Sequence, residues 1–151
     1  MKKFVFKQEP LYEFRKLLEE LSQVEFAAAL KRLDEEESKL SFLKGVYRKT
    51  SEEADGLKEK GAPVSDIRMY HDYLTTLKRH IAAQEGALKE LREFFEKKRN
   101  ELLEASRNKK VLETMKEKSY NDYIMHIEKL EQKITDDMVT SRFKRSGRDE
   151  V

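Results

Sequence analysis

Residues 67–105 read IRMYHDYLTTLKRHIAAQEGALKELREFFEKKRNELLEA, and steps of three and four through them land on Ile67, Tyr70, Leu74, Leu77, Ile81, Gln84, Leu88, Leu91, Phe95, Lys98, Leu102 and Ala105. Only Gln84 and Lys98 interrupt the apolar stripe. A stripe this long and this narrow belongs to a helix that lays one seam against another helix. The partner is legible upstream, where Leu33, Leu40, Leu43, Tyr47, Thr50, Ala54 and Leu57 share a stripe of the same kind. Farther back, Leu11, Phe14, Leu18 and Leu21 fall on a stripe offset by one residue. That offset is the drift expected of a 3.6-residue helix against a 3.5-residue repeat.

Between the two stripes stands Lys60-Gly61-Ala62-Pro63. A glycine just past a helix end, followed by proline, is a stop signal. Ser65 and Asp66 then supply a cap and a first-turn acid for a new helix. Pro10 suits the first turn of the earlier helix, where its missing N–H costs nothing. The expected fold is all-α: two long helices in an antiparallel coiled-coil hairpin, helix 2 longer than helix 1. Helix 1 is placed at about 10–58, the turn at 59–65 and helix 2 at about 66–140. Residues 1–141 read as a single domain and 142–151 as a flexible basic tail. The turn pairs Leu57 with Ile67, Tyr47 with Leu77 and Leu33 with Leu91. It puts Gln84 opposite Leu40, and Lys98 beside Phe26, whose ring its stem can cover.

Composition agrees with a seam rather than a globular core. Of 151 residues, 41% are charged and 38% hydrophobic, with no Trp, no Cys and two Pro. A compact core needs more apolar material, whereas a two-helix seam asks for about two positions in seven. The net charge of +2 argues against a dedicated nucleic-acid binder. The absence of cysteine excludes disulfides and thiolate metal sites and fits a reducing cytosol. No apolar run approaches a membrane span, and Met1-Lys-Lys-Phe-Val-Phe-Lys is too short for a signal-peptide core, so the chain is expected in the cytoplasm without direct membrane insertion.

Signatures of catalysis are missing. The five glycines are isolated, so there is no phosphate-binding loop. His71, His80 and His126 are not at ligand spacing, and Asp34-Glu35-Glu36-Glu37 point in successive directions around a helix. The chain is not expected to be an enzyme or to hold a cofactor or metal.

The excess of helix 2 over helix 1 is more informative. Helix 1 runs out opposite about Leu112. Beyond it Tyr120, Tyr123, Ile124, Ile127, Leu130, Ile134 and Met138 keep to one broad apolar face. That face either packs on the segment around Phe4 and Phe6 or waits for a partner. The second reading is preferred, because several large side chains left exposed forfeit an energy comparable to a domain's stability. Beside it, bases including Lys109 and Lys110 outnumber acids over residues 97–118, an electrostatic dock for an acidic surface. Near the turn, Phe42 and Val46 with Tyr73 and His80 lie off the seam and form a second candidate patch.

These features together resemble the FliJ family, the small coiled-coil component of the bacterial flagellar export apparatus. The resemblance rests on Phe4-Val-Phe-Lys-Gln-Glu-Pro-Leu with Phe14-Arg15, and on Tyr70-x-x-Tyr-Leu-x-x-Leu-x-x-x-Ile-x-x-Gln84. It extends to Arg107-Asn-Lys-Lys-Val-Leu-Glu and to Glu131-Gln-Lys-Ile-Thr-Asp-Asp137 with Arg142 and Arg145. Asp137 stands where the family usually has Glu. The resemblance implies a role in type III export, bacterial flagellum biogenesis and motility, at the cytoplasmic side of the membrane at the flagellar base. The implied partners are the hexameric export ATPase, the cytoplasmic domain of the membrane export gate, and export chaperones. Family members resemble the coiled-coil shaft of the rotary ATP synthase, which would turn the Tyr120–Met138 face and Lys109 and Lys110 toward the ATPase. The gate-facing patch of the family maps onto Phe42, Leu43, Val46, Tyr73, Leu77, His80 and Gln84. A generic coiled-coil tether and the counterpart in a virulence secretion system are the alternatives. Mobility shifts with duplex DNA at physiological salt should show only weak, sequence-independent binding, with Kd no tighter than about 10⁻⁶ M; a tight sequence-dependent shift would favour a nucleic-acid role.

Overall fold

The computed structural model describes residues 2–146. Two helices carry nearly all of them: α1, Glu9–Glu59, of 51 residues, and α2, Val64–Ser146, of 83 residues. No strand occurs among the described residues. α1 starts as expected, with Glu9 and Pro10 in the first turn and the Tyr12 N–H donating to the Gln8 carbonyl at 2.9 Å.

The reversal is a Schellman turn. Gly61 takes φ +69°, which a residue with a Cβ adopts only at a cost. The Ala62 N–H reaches back to the Leu57 carbonyl at 3.1 Å, and the Gly61 N–H to the Lys58 carbonyl at 3.3 Å. Carbonyls that the helix end would leave without donors are satisfied in this way. α2 begins earlier than expected. The Pro63 carbonyl accepts from the N–H groups of Asp66 and Ile67, so Pro63 is the flanking residue. Ser65 and Asp66 lie inside the first turn, where Asp66 still meets the positive end of the helix dipole.

The chain divides into two compact units, one of residues 19–105 and one of residues 1–18 with 106–151. The first is a helical hairpin around the turn. Its core is Leu33, Leu88 and Leu91, with Leu40 and Phe95 packed against it and Leu88 only 1% exposed. Leu33 and Leu91 therefore meet as the sequence pairs them. Small buried residues, Ala29, Thr50 and Ala54, let the two backbones approach. Phe26 stacks on Phe95 with centroids 5.2 Å apart. Lys44–Glu85 at 3.0 Å and Arg92–Glu37 at 3.4 Å bridge the helices from outside. Such exposed pairs add little stability and chiefly report which turns face each other.

The two polar seam residues both find acidic partners. The half-buried Gln84 amide donates to the Glu36 carbonyl at 3.1 Å and to Glu36 Oε2 at 2.6 Å, one turn from Leu40, because an amide inside a seam needs acceptors. Lys98 lies at the level of Phe26, which stacks on Phe95, and reaches the neighbouring Glu25. Its ammonium lies 5.4 Å from the Phe94 centroid and pairs with Glu25 at 3.0 Å and Glu101 at 3.1 Å.

The offset stripe of α1 mostly faces solvent: Leu18 is half-buried, whereas Leu11, Phe14 and Leu21 are exposed. In the 19–105 unit the half-buried positions include Ser22 and Phe26, while Leu21 and Val24 are exposed. In the other unit Tyr12, Arg15 and Leu18 are half-buried, and Leu11, Phe14 and Leu17 are exposed. The heptad defined by Leu33 continues unshifted, through smaller and more polar residues. A one-residue offset would require turning the helix by about 100° about its axis, and the drift of a 3.6-residue helix is only about 20° per heptad.

In the unit of residues 1–18 and 106–146, Leu112 is buried, and Lys116 pairs with Glu9 at 2.8 Å while lying 5.0 Å from the Tyr12 centroid. α2 runs on through Ser146, past its expected end at about 140 and into the stretch read as a tail. The rest of that tail, 147–151, lies outside the described residues. Leu88→Ala should lower stability by about 2–4 kcal/mol, whereas Leu21→Ala, at a side chain 53% exposed, should change it by less than about 0.5 kcal/mol. Equal shifts in thermal melts of the two variants would mean that Leu21 is part of the seam.

Candidate functional site

The late apolar face of α2 is built in two parts. Its first part is covered by the chain's own opening residues. The Glu9 N–H donates to the Phe6 carbonyl at 3.1 Å, which turns residues 2–8 back along α2. Phe4 then meets Tyr120 edge-on, centroids 5.3 Å apart, and Tyr123 at 5.6 Å. The Tyr123 hydroxyl donates to the Lys2 carbonyl at 2.8 Å, and Phe6 is buried. The preferred expectation of a wholly unpaired face is corrected here: Tyr120 and Tyr123 have partners, supplied by the segment around Phe4 and Phe6. Ring surface explains why, since edge-on and tilted aromatic contacts bury apolar area in a preferred geometry.

Between this segment and α2 a groove of about 930 Å³ remains, with Val5 and Phe6 on one side and Tyr123, Ile127 and Leu130 on the other. Ile124 and Ile127 are half-buried, and Leu130 is exposed. The second part of the face is open. From residue 131 to residue 146 every position is exposed, with Ile134 at 55% and Met138 at 59%. Thr135 and Thr140 donate their hydroxyls to carbonyls one turn back, at 3.0 and 2.8 Å, so their polar groups are satisfied within the helix. In this unit Lys109 is half-buried and engaged, and Lys110 is exposed, with Glu113 at 3.8 Å.

The patch near the turn lies in the 19–105 unit. Phe42 is 71% exposed, Tyr73 and His80 are also exposed, and Leu43 and Val46 are half-buried. Leu77, only 5% exposed, is closed into the seam and offers no surface. Gln84 is half-buried and committed to Glu36. Its hydrogen bond is the first cause holding the Glu36 carboxyl below its ordinary value, with Lys39 adding to it. In the other unit, the hydrogen bond to Glu9 raises Lys116.

Lys2, Val5 and Lys7, which sequence reasoning did not single out, also line the groove. A signal existed in the apolar run Phe4-Val5-Phe6 between lysines, ahead of the helix.

Among the described residues no group of His, Cys, Asp and Glu is placed to hold a metal ion, and no helix is long and apolar enough to cross a membrane. What the two units present is surface: apolar faces of helices, bordered by charge. This defines a protein of two long helices reversed at a single turn. The model of the family described as Flagellar FliJ protein matches residues 6–148, and the chain belongs to the FliJ family. That membership gives it a role associated with flagellar type III export, in a family of non-catalytic export components. No curated protein and no solved structure matches the chain.

Gln84→Ala gives a test of the seam at the turn-end patch. A carboxylate with a lowered folded value stabilises the fold above its ordinary 4.5, and that stabilisation is lost as pH falls through the lowered value. The melting-temperature gap between wild type and Gln84→Ala should therefore be wider at pH 7 than at pH 3.

Proposed function

We propose that the protein couples the flagellar export ATPase to the cytoplasmic domain of the membrane export gate and to export chaperones. The observation that carries this reading is the end of α2. A helix with Ile134 and Met138 more than half exposed, and no seam partner over 131–146, loses its apolar stripe to water unless another protein covers it. Covering that stripe would return the free energy of burying its apolar side chains to the complex. We assign the Tyr120–Met138 face, with Tyr123, Ile124, Ile127, Leu130 and Ile134, to the ATPase. Lys109 and Lys110 would speed association with an acidic surface, an effect that weakens with salt.

The gate is assigned to the turn-end patch. Phe42, Tyr73 and His80 are its accessible members, with Leu43 and Val46 at its edge. Leu77 and Gln84 support it from within the seam. Peripheral location at the membrane of the flagellar base follows from this partnership, since the described helices supply no span. Ile134→Asp is the direct test. It should leave the melting temperature nearly unchanged, because the side chain is exposed, and lower capture of the export ATPase by about 10-fold or more. Phe42→Ala with Tyr73→Ala should spare ATPase capture and weaken capture of the gate's cytoplasmic domain. Unimpaired ATPase capture by Ile134→Asp would remove the assignment of this face.

A further inference from the structure

The groove beside residues 2–8 is made by two segments far apart in sequence. Its floor follows α2 from Met115 to Leu130, about 22 Å at 1.5 Å per residue, the length of about four helical turns. The apolar lining includes Val5, 78% exposed, with Ile127 and Leu130 opposite. The charge at its border is one-sided. Lys2, Lys3 and Lys7 line it against Asp122 alone, and none of the three ammonium groups takes part in an ion pair among the described residues. Along α2, Met115, Tyr123, Ile127 and Leu130 alternate with Ser119, Asp122 and His126. Their apolar members call for an apolar stripe of matching length, and an excess of unpaired ammonium groups calls for carboxylates beside that stripe.

We propose that this groove seats a single amphipathic helix of a partner protein, whose apolar stripe is bordered by acidic residues. The inference rests on the reading of the late α2 face as a docking surface, and adds the chemistry of what docks there. The segment 2–8 is then a wall of the site. Phe4, held between Tyr120 and Tyr123, keeps that wall in place, and the lysines it carries select the partner by charge.

The test uses the full chain and two synthetic helical peptides of about 15 residues. Both carry the same leucine stripe, one bordered by glutamates and the other by lysines, and each has a fluorescent label. At low salt the glutamate peptide should bind at least about 10-fold more tightly, and the difference should shrink as salt rises. Lys3→Glu combined with Lys7→Glu should reverse the order of the two peptides. Val5→Asp should weaken the glutamate peptide at least about 10-fold with no loss of melting temperature. Equal binding of both peptides would overturn the proposal. So would tighter binding to Phe4→Ala, which would make the segment a competitor for the face and not a wall. Self-association that excludes both peptides would assign the groove to a second copy and overturn it as well. Export ATPase capture by the wild-type chain, measured alongside, separates the two readings. Charge-selective peptide binding without ATPase capture supports the groove and sinks only the ATPase assignment. ATPase capture with no peptide discrimination sinks the groove alone.

Discussion

Two helices joined by a tight turn keep one important freedom, the rotation of each about its own axis. The contact among Leu33, Leu88 and Leu91 removes it in the 19–105 unit. Once these side chains interlock, each seam position is set by counting threes and fours from them. The turn supplies the other half of the constraint. Gly61 in a left-handed conformation, with two back-donated hydrogen bonds, leaves little slack in how far α1 and α2 can slide. The polar residues accommodate this geometry. Gln84 finds an acceptor on Glu36, and Lys98 finds carboxylates on Glu25 and Glu101.

The same constraint produces exposed apolar surface. Because the α1 heptad cannot shift by a residue, Leu21 and Val24 in one unit and Leu11, Phe14 and Leu17 in the other are left to solvent. Large apolar side chains outside a seam add nothing to the hairpin, and their free energy becomes available to partners. In the unit containing residues 106–146 the chain covers some of its surplus itself, through Phe4 and Phe6, and leaves Ile134 and Met138 uncovered. The chain therefore exposes apolar surface as a consequence of how it folds.

Much was legible in advance because it depends on local rules. A glycine followed by proline stops a helix wherever it stands, and the long stripe from Ile67 has no competing period. The Leu33–Leu91 pairing followed from counting back across the turn. Polar partners were harder to place. That the Gln84 amide reaches both the carbonyl and the carboxylate of Glu36 depends on side-chain placement that the heptad does not encode. Of the residues read as a patch near the turn, Phe42, Tyr73 and His80 are exposed, whereas Leu77 is closed in the seam.

The sequence by itself determined two helices, one reversal and the side of α2 that faces α1, because helix periodicity and turn chemistry act over a few residues. Tertiary structure alone decided which of two rival apolar stripes on α1 became buried. Both satisfy the heptad spacing, and only the one in phase with Leu33 can meet α2 without turning the helix. It also decided the fate of residues 2–8. Their alternation permits an extended segment, but the aromatic surface that receives Phe4 comes from Tyr120 and Tyr123, more than a hundred residues away, and a contact over that distance exists only once the chain has folded.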